Sequence, residues 1–130
     1  MDKFKFVSKS IFIIGILNTL LGIIHIIGTF TFELQNIKGQ GSDTLQRDYL
    51  LWFGATGLFI FFIGLLNILC YNSLILNIKL AYKILLLCSV FTILLGVPGV
   101  VVFGISPPIV LVITGIFGLI TLLMVKNKFQ

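Results

Sequence analysis

Four apolar stretches separated by short polar breaks run along this chain, at about 10–32, 49–71, 80–103 and 109–125. A helix rising about 1.5 Å per residue needs about 20 residues to cross a hydrocarbon core of about 30 Å, so each stretch is predicted to be a membrane span. The first, Ser10 to Phe32, carries no residue that is charged at neutral pH. Along it Gly15, Asn18, Gly22, His25 and Thr29 recur at steps of three and four, which places them on one helical face and leaves isoleucine and leucine on the other. A polar side chain turned toward hydrocarbon costs roughly several kcal/mol, so this face is expected to look inward at other helices.

The breaks have their own chemistry. After the first span comes a polar outer loop, 33–48, with Gly39-Gln40-Gly41-Ser42 as flexible loop residues. Asp43 and Gln46 resemble a capping box, so the next helix is predicted to start near Thr44, ahead of the membrane. Tyr49 and Trp52 mark interfacial depth on entry to the second span and Tyr71 on exit. Asn72-Ser73 interrupts the pattern, and Leu74 to Lys79 reads as a short connector. In the third span Gly96-Val97-Pro98-Gly99 is expected to kink or end the helix, because proline removes a backbone donor. Ser106-Pro107-Pro108 reads as a tight turn into the fourth span, which Lys126 and Lys128 close.

Small residues recur in the other spans too: Gly57, Gly64 and Asn67; Ser89, Thr92, Gly96 and Gly99; Thr114, Gly118 and Thr121. Small residues let backbones approach closely where packing, not water expulsion, joins helices. The expected fold is therefore all-α, an integral membrane antiparallel four-helix bundle occupying residues 1–130 as one domain. Leu-Leu-Gly at Leu20 and again at Leu94 is too short a match to establish duplication of a two-helix unit.

Composition narrows the class. Only 10% of the 130 residues are charged, against about 25% in soluble domains, and mean hydropathy is +1.20. The formal charge of +5 does not form a patch interleaved with aromatics, so no nucleic-acid partner is expected. Met1 to Lys9 resembles the basic start of a signal peptide, but the apolar run behind it is too long and no Ala-x-Ala follows, so a retained first span is predicted. In a four-span reading Lys3, Lys5, Lys9, Lys79, Lys83, Lys126 and Lys128 share one side, and Lys38 and Arg47 the other. Positive charge stays on the cytoplasmic side, so both termini are predicted there. Scarce arginine with abundant isoleucine, phenylalanine and asparagine suggests an AT-rich bacterial genome, hence a multi-pass protein of the bacterial cytoplasmic (inner) membrane.

His25 is the only histidine. Helical rise places it about 22 Å from the cytoplasmic end, level with Thr56 and Gly57, with Trp52 just above and the Pro98 break nearby. His25, Thr29, Trp52, Thr56 and Pro98 thus form a candidate ligand-binding layer, open outward. The plainer alternative is a neutral imidazole giving about 1 kcal/mol of interhelical hydrogen bonding. Asn18 and Asn67 complete the candidate set; across antiparallel spans they are expected to hydrogen-bond each other rather than hold an ion. No second histidine or carboxylate lies in the spans, so no metal site within one chain is expected; a haem bridged by His25 from two copies is the remaining metal option. Cys70 and Cys88 are read as packing residues at different depths, without a disulfide.

Absences shape the functional expectation. A small multidrug transporter depends on a glutamate within span one, and here the acidic residues are Asp2, Glu33, Asp43 and Asp48, all outside the spans. The threonine-rich signature of fluoride channels and the membrane-face arginines of glutathione-dependent membrane enzymes are also missing. No catalytic set or phosphate-cradling loop is present. The sequence favours a non-enzymatic protein, no cofactor assigned, that binds an apolar or amphipathic ligand, a partner membrane protein or a second copy of itself in the lipid bilayer. The alternatives are a membrane redox or cofactor-binding enzyme using His25, and an oligomeric pore or transporter.

Overall fold

A computed structural model describes residues 3–33, 43–76, 78–103 and 108–129. Among them the chain forms α1 (Lys3–Gly28), a π-helical turn (Thr29–Glu33), α2 (Asp43–Ile75), α3 (Lys79–Phe103), α4 (Ile109–Leu123) and a closing 3-10 turn (Lys126–Lys128). The fold is all-helical. Three stretches within it, Lys3–Thr31, Gln46–Ile75 and Lys79–Val101, are long and apolar enough to cross a membrane.

The fourth helix is shorter than the sequence pattern suggests. Its 15 residues span about 22 Å, less than a hydrocarbon core of about 30 Å. The backbone leaves the helix at Met124 and Val125 and folds into the 3-10 turn, which buries Val125 and Phe129 instead of extending the helix. At the other end of the bundle, α3 does not stop at Pro98 but runs on to Phe103. One missing backbone donor is tolerated in a long apolar helix whose other bonds are intact. Nor does Asn72-Ser73 break α2, which continues to Ile75. The backbone N–H of Leu76 then donates to Asn72 O and that of Ile78 to Ser73 O, both at 3.0 Å, so the connector is a turn of only a few residues. α2 is helical from Asp43, the first residue described after Glu33. The glycines of the outer loop and the Ser106-Pro107 part of the predicted turn lie outside the described residues.

Neighbouring helices run antiparallel, and close approaches fix the register. On α1 and α2, Gly15 meets Asn67 and Ile68, Gly22 meets Phe61, and Gly57 meets His25 and Ile26. Gly15 and Gly22 are seven residues apart, as are Gly57 and Gly64, which is the repeat of a left-handed helix pair. A Cβ on Gly22 would stand 2.5 Å from the backbone nitrogen of Phe61, so no larger residue fits without parting the helices. On α3 and α4, Gly96 meets Leu111 and Val112, and Gly115 meets Ile93. α1 also touches α4, through Asn18 against Thr114 and Ile14 beside Gly118. α3 therefore sits diagonally across from α1.

The tightest core lies where the chain begins and ends. Phe4, Val7, Ile11, Leu74, Tyr82, Leu85, Leu122, Val125 and Phe129 pack in one cluster. Phe129 stacks on Tyr82 with ring centroids 4.6 Å apart, and the Lys128 ammonium lies 4.3 Å above the Phe4 ring. The first and last described turns thus meet at one end of the bundle. The seven lysines named above belong to turns and helix ends at this same end. Around the rest of the bundle isoleucine, leucine and phenylalanine side chains stand exposed in numbers that a water-soluble surface would not carry.

Candidate functional site

The face of α1 expected to look inward does so. Gly15, Asn18 and Gly22 are buried, Thr29 is fully buried and His25 is half-buried. The His25 ring lies against α2, stacked on Phe53 with centroids 4.3 Å apart and planes 19° from parallel. Phe53 in turn stacks on Tyr49, at 5.4 Å and 17°. Imidazole, phenyl and phenol thus form one column of three rings between α1 and α2. Gly57 of α2 lets the imidazole lie close: a Cβ there would come within 3.1 Å of His25 Cδ2.

Below the imidazole the backbone of α1 changes pitch. The Thr29 hydroxyl donates to His25 O at 2.7 Å and the Thr31 hydroxyl to Ile27 O at 2.8 Å, just where the helix widens into the π-helical turn. Side chains that bond the preceding turn compete with the backbone ladder, which fits the local loosening.

The other expected members of the layer fall elsewhere. Trp52 is 78% exposed and turns away from the bundle. Thr56 is half-buried, and its hydroxyl donates to Trp52 O of its own helix at 2.9 Å. Pro98 is exposed on α3, the helix diagonal to α1. Depth along a helix is readable from residue count, but two residues at one depth meet only if both face the same interface. The structure sets His25 against Gly57 and Phe53, with Tyr49 beyond Phe53 and the Thr29 hydroxyl on the His25 carbonyl. Sequence reading missed Phe53, although Tyr49, Phe53 and Gly57 lie four residues apart on one face of α2.

Asn18 and Asn67 are both buried, at 0% and 3% exposure, but they do not bond each other. Thr114 takes the place of the expected partner: its hydroxyl lies 3.3 Å from Asn18 Oδ1 and 3.1 Å from Leu111 O, with one proton to share between two acceptors. Asn18 Nδ2 and Asn67 Oδ1 are buried without a hydrogen-bond partner. Most other buried hydroxyls serve their own helices. Ser8, Thr19, Ser89, Thr92 and Thr121 each donate to a carbonyl four residues back, so the small polar stripes join helices by close packing more than by hydrogen bonds.

Cys88 is buried and Cys70 half-buried, and neither forms a disulfide. Among the described residues no three His, Cys, Asp or Glu side chains come together. The chemistry of the column is that of a flat aromatic wall with one imidazole, suited to holding an apolar or planar group against a single polar atom. No protein-family model, curated protein or solved structure matches the chain.

Proposed function

We propose that this chain is a small integral membrane protein with both termini cytoplasmic, and that it binds an apolar or amphipathic ligand beside His25. The bacterial inner membrane is the compartment that its composition favours. One observation carries the binding reading: an imidazole stacked on Phe53 and left half-exposed between two apolar helices. A histidine kept at this depth only for packing would be replaced by a leucine at lower cost, since intramembrane polar groups are expensive to hold. The His25 ring supplies a hydrogen-bonding atom, and Phe53 and Tyr49 a flat apolar wall.

The deciding experiment is native mass spectrometry of the full chain extracted in mild detergent, comparing wild type with His25→Ala and Phe53→Ala. A retained small molecule of lipid-like mass that both substitutions release supports the reading. A bare protein, or a molecule retained equally by all three, overturns it. A Soret or flavin band in the absorption spectrum would instead favour the cofactor-binding enzyme.

A further inference from the structure

A second feature lies at the opposite end of the bundle from His25. Between the start of α3 and the exit from α4 is a crevice of about 390 Å³, lined by Lys79, Tyr82, Lys83, Leu86, Leu123, Lys126 and Phe129. Three of these side chains are ammonium groups and none is a carboxylate. Lys79 and Lys83 lie one helical turn apart on α3, and Lys126 opens the 3-10 turn that follows α4. The described carboxylates Asp43 and Asp48 belong to the first turns of α2, at the far end. Leu86, Leu123 and Phe129 form the apolar remainder of the wall.

Tyr82 supplies an independent observation. Its ring is buried flat against Phe129, and its hydroxyl is buried with no hydrogen-bond partner. A phenol kept from both water and protein acceptors beside three cations fits a ligand that brings an acceptor oxygen. A phosphodiester on a hydrocarbon chain meets each requirement: negative charge for the lysines, an acceptor for the phenol, and an alkyl segment for the leucines.

We propose that this crevice is a binding site for the headgroup and upper acyl chain of an anionic phospholipid of the lysine-side leaflet. The proposal rests on the membrane reading above but not on His25. Headgroup phosphate lies against Lys79, Lys83 and Lys126 and accepts from Tyr82, while the chain descends along Leu86 and Leu123. The site ties the start of α3 to the exit from α4.

The test uses the full chain purified in mild detergent and native mass spectrometry with added phosphatidylglycerol, phosphatidylcholine or inorganic phosphate. Carbonate extraction of membranes from the expressing cells is run beside it. Phosphatidylglycerol is expected to be retained over phosphatidylcholine, and Lys83→Gln with Lys126→Gln is expected to weaken it about tenfold or more, since each basic residue near an anionic surface contributes roughly a factor of five. Tyr82→Phe is expected to weaken it by a smaller factor. Lys5→Gln with Lys9→Gln, on the same end but outside the crevice, is expected to leave retention unchanged. Equal loss in that control would reduce the effect to general surface charge and overturn the proposal, as would equal retention of the two lipids. Binding of inorganic phosphate as tightly as phosphatidylglycerol would replace the lipid with a free anion. Protein stripped from membranes by carbonate would overturn the membrane reading and this site with it; protein that stays but shows no lipid preference would overturn this site alone.

Discussion

The imidazole of His25 rests on the phenyl ring of Phe53, 4.3 Å from centroid to centroid, and this contact joins the last turn of α1 to the N-terminal half of α2. Aromatic pairs in such geometry contribute about 0.5–1.5 kcal/mol beyond the area they bury. A double-mutant cycle of His25→Ala and Phe53→Ala, read by thermal unfolding in detergent, is therefore expected to show coupling of about that size. Additive losses would mean that the rings touch without interacting.

Close backbone approach makes a sharper prediction. A Cβ on Gly22 would collide with the backbone of Phe61, whereas one on Gly28 meets nothing within 4 Å. Gly22→Leu is expected to destabilise the bundle by about 1–3 kcal/mol. Gly28→Ala is expected to change stability by no more than about 1 kcal/mol, in the favourable direction where helix propensity dominates. The two melting temperatures, measured in one detergent, decide the point; equal losses would refute the register of α1 on α2.

The buried amides predict a gain rather than a loss. Asn18 Nδ2 is enclosed with no acceptor, and an unsatisfied buried donor costs about 1–3 kcal/mol. Its carbonyl receives only a share of the Thr114 proton at 3.3 Å. Asn18→Leu is thus expected to leave the melting temperature unchanged or to raise it. A fall of several degrees would show that the amide is satisfied by a bound water.

Much of the architecture was legible in the residue order. The helical character of all four stretches, the inward face of α1 and the meeting of His25 with Gly57 follow from apolar run length and from steps of three and four. Helix ends were less legible. Whether α4 continues to Val125 depends on Phe129 finding a place against Tyr82 and Phe4, contacts between residues up to 125 positions apart. Likewise Asn72-Ser73 looks like a breaker, yet it stays helical because apolar Leu74 beyond it is buried in the terminal core.

The candidate site divides in the same way. Sequence alone determined that a lone histidine would lie on an apolar helix, on a face with glycines, because helical periodicity and the cost of polar groups in hydrocarbon are local rules. Only the tertiary structure decided that Phe53 and Tyr49 stand beside it while Trp52 and Pro98 do not. Neighbourhood between helices is set by their rotation about their own axes, and the packing of glycines against backbone chooses that rotation. The lysine crevice belongs to the same category: its cations are plain in the sequence, but their convergence on the buried phenol of Tyr82 comes from the chain end folding back over α3.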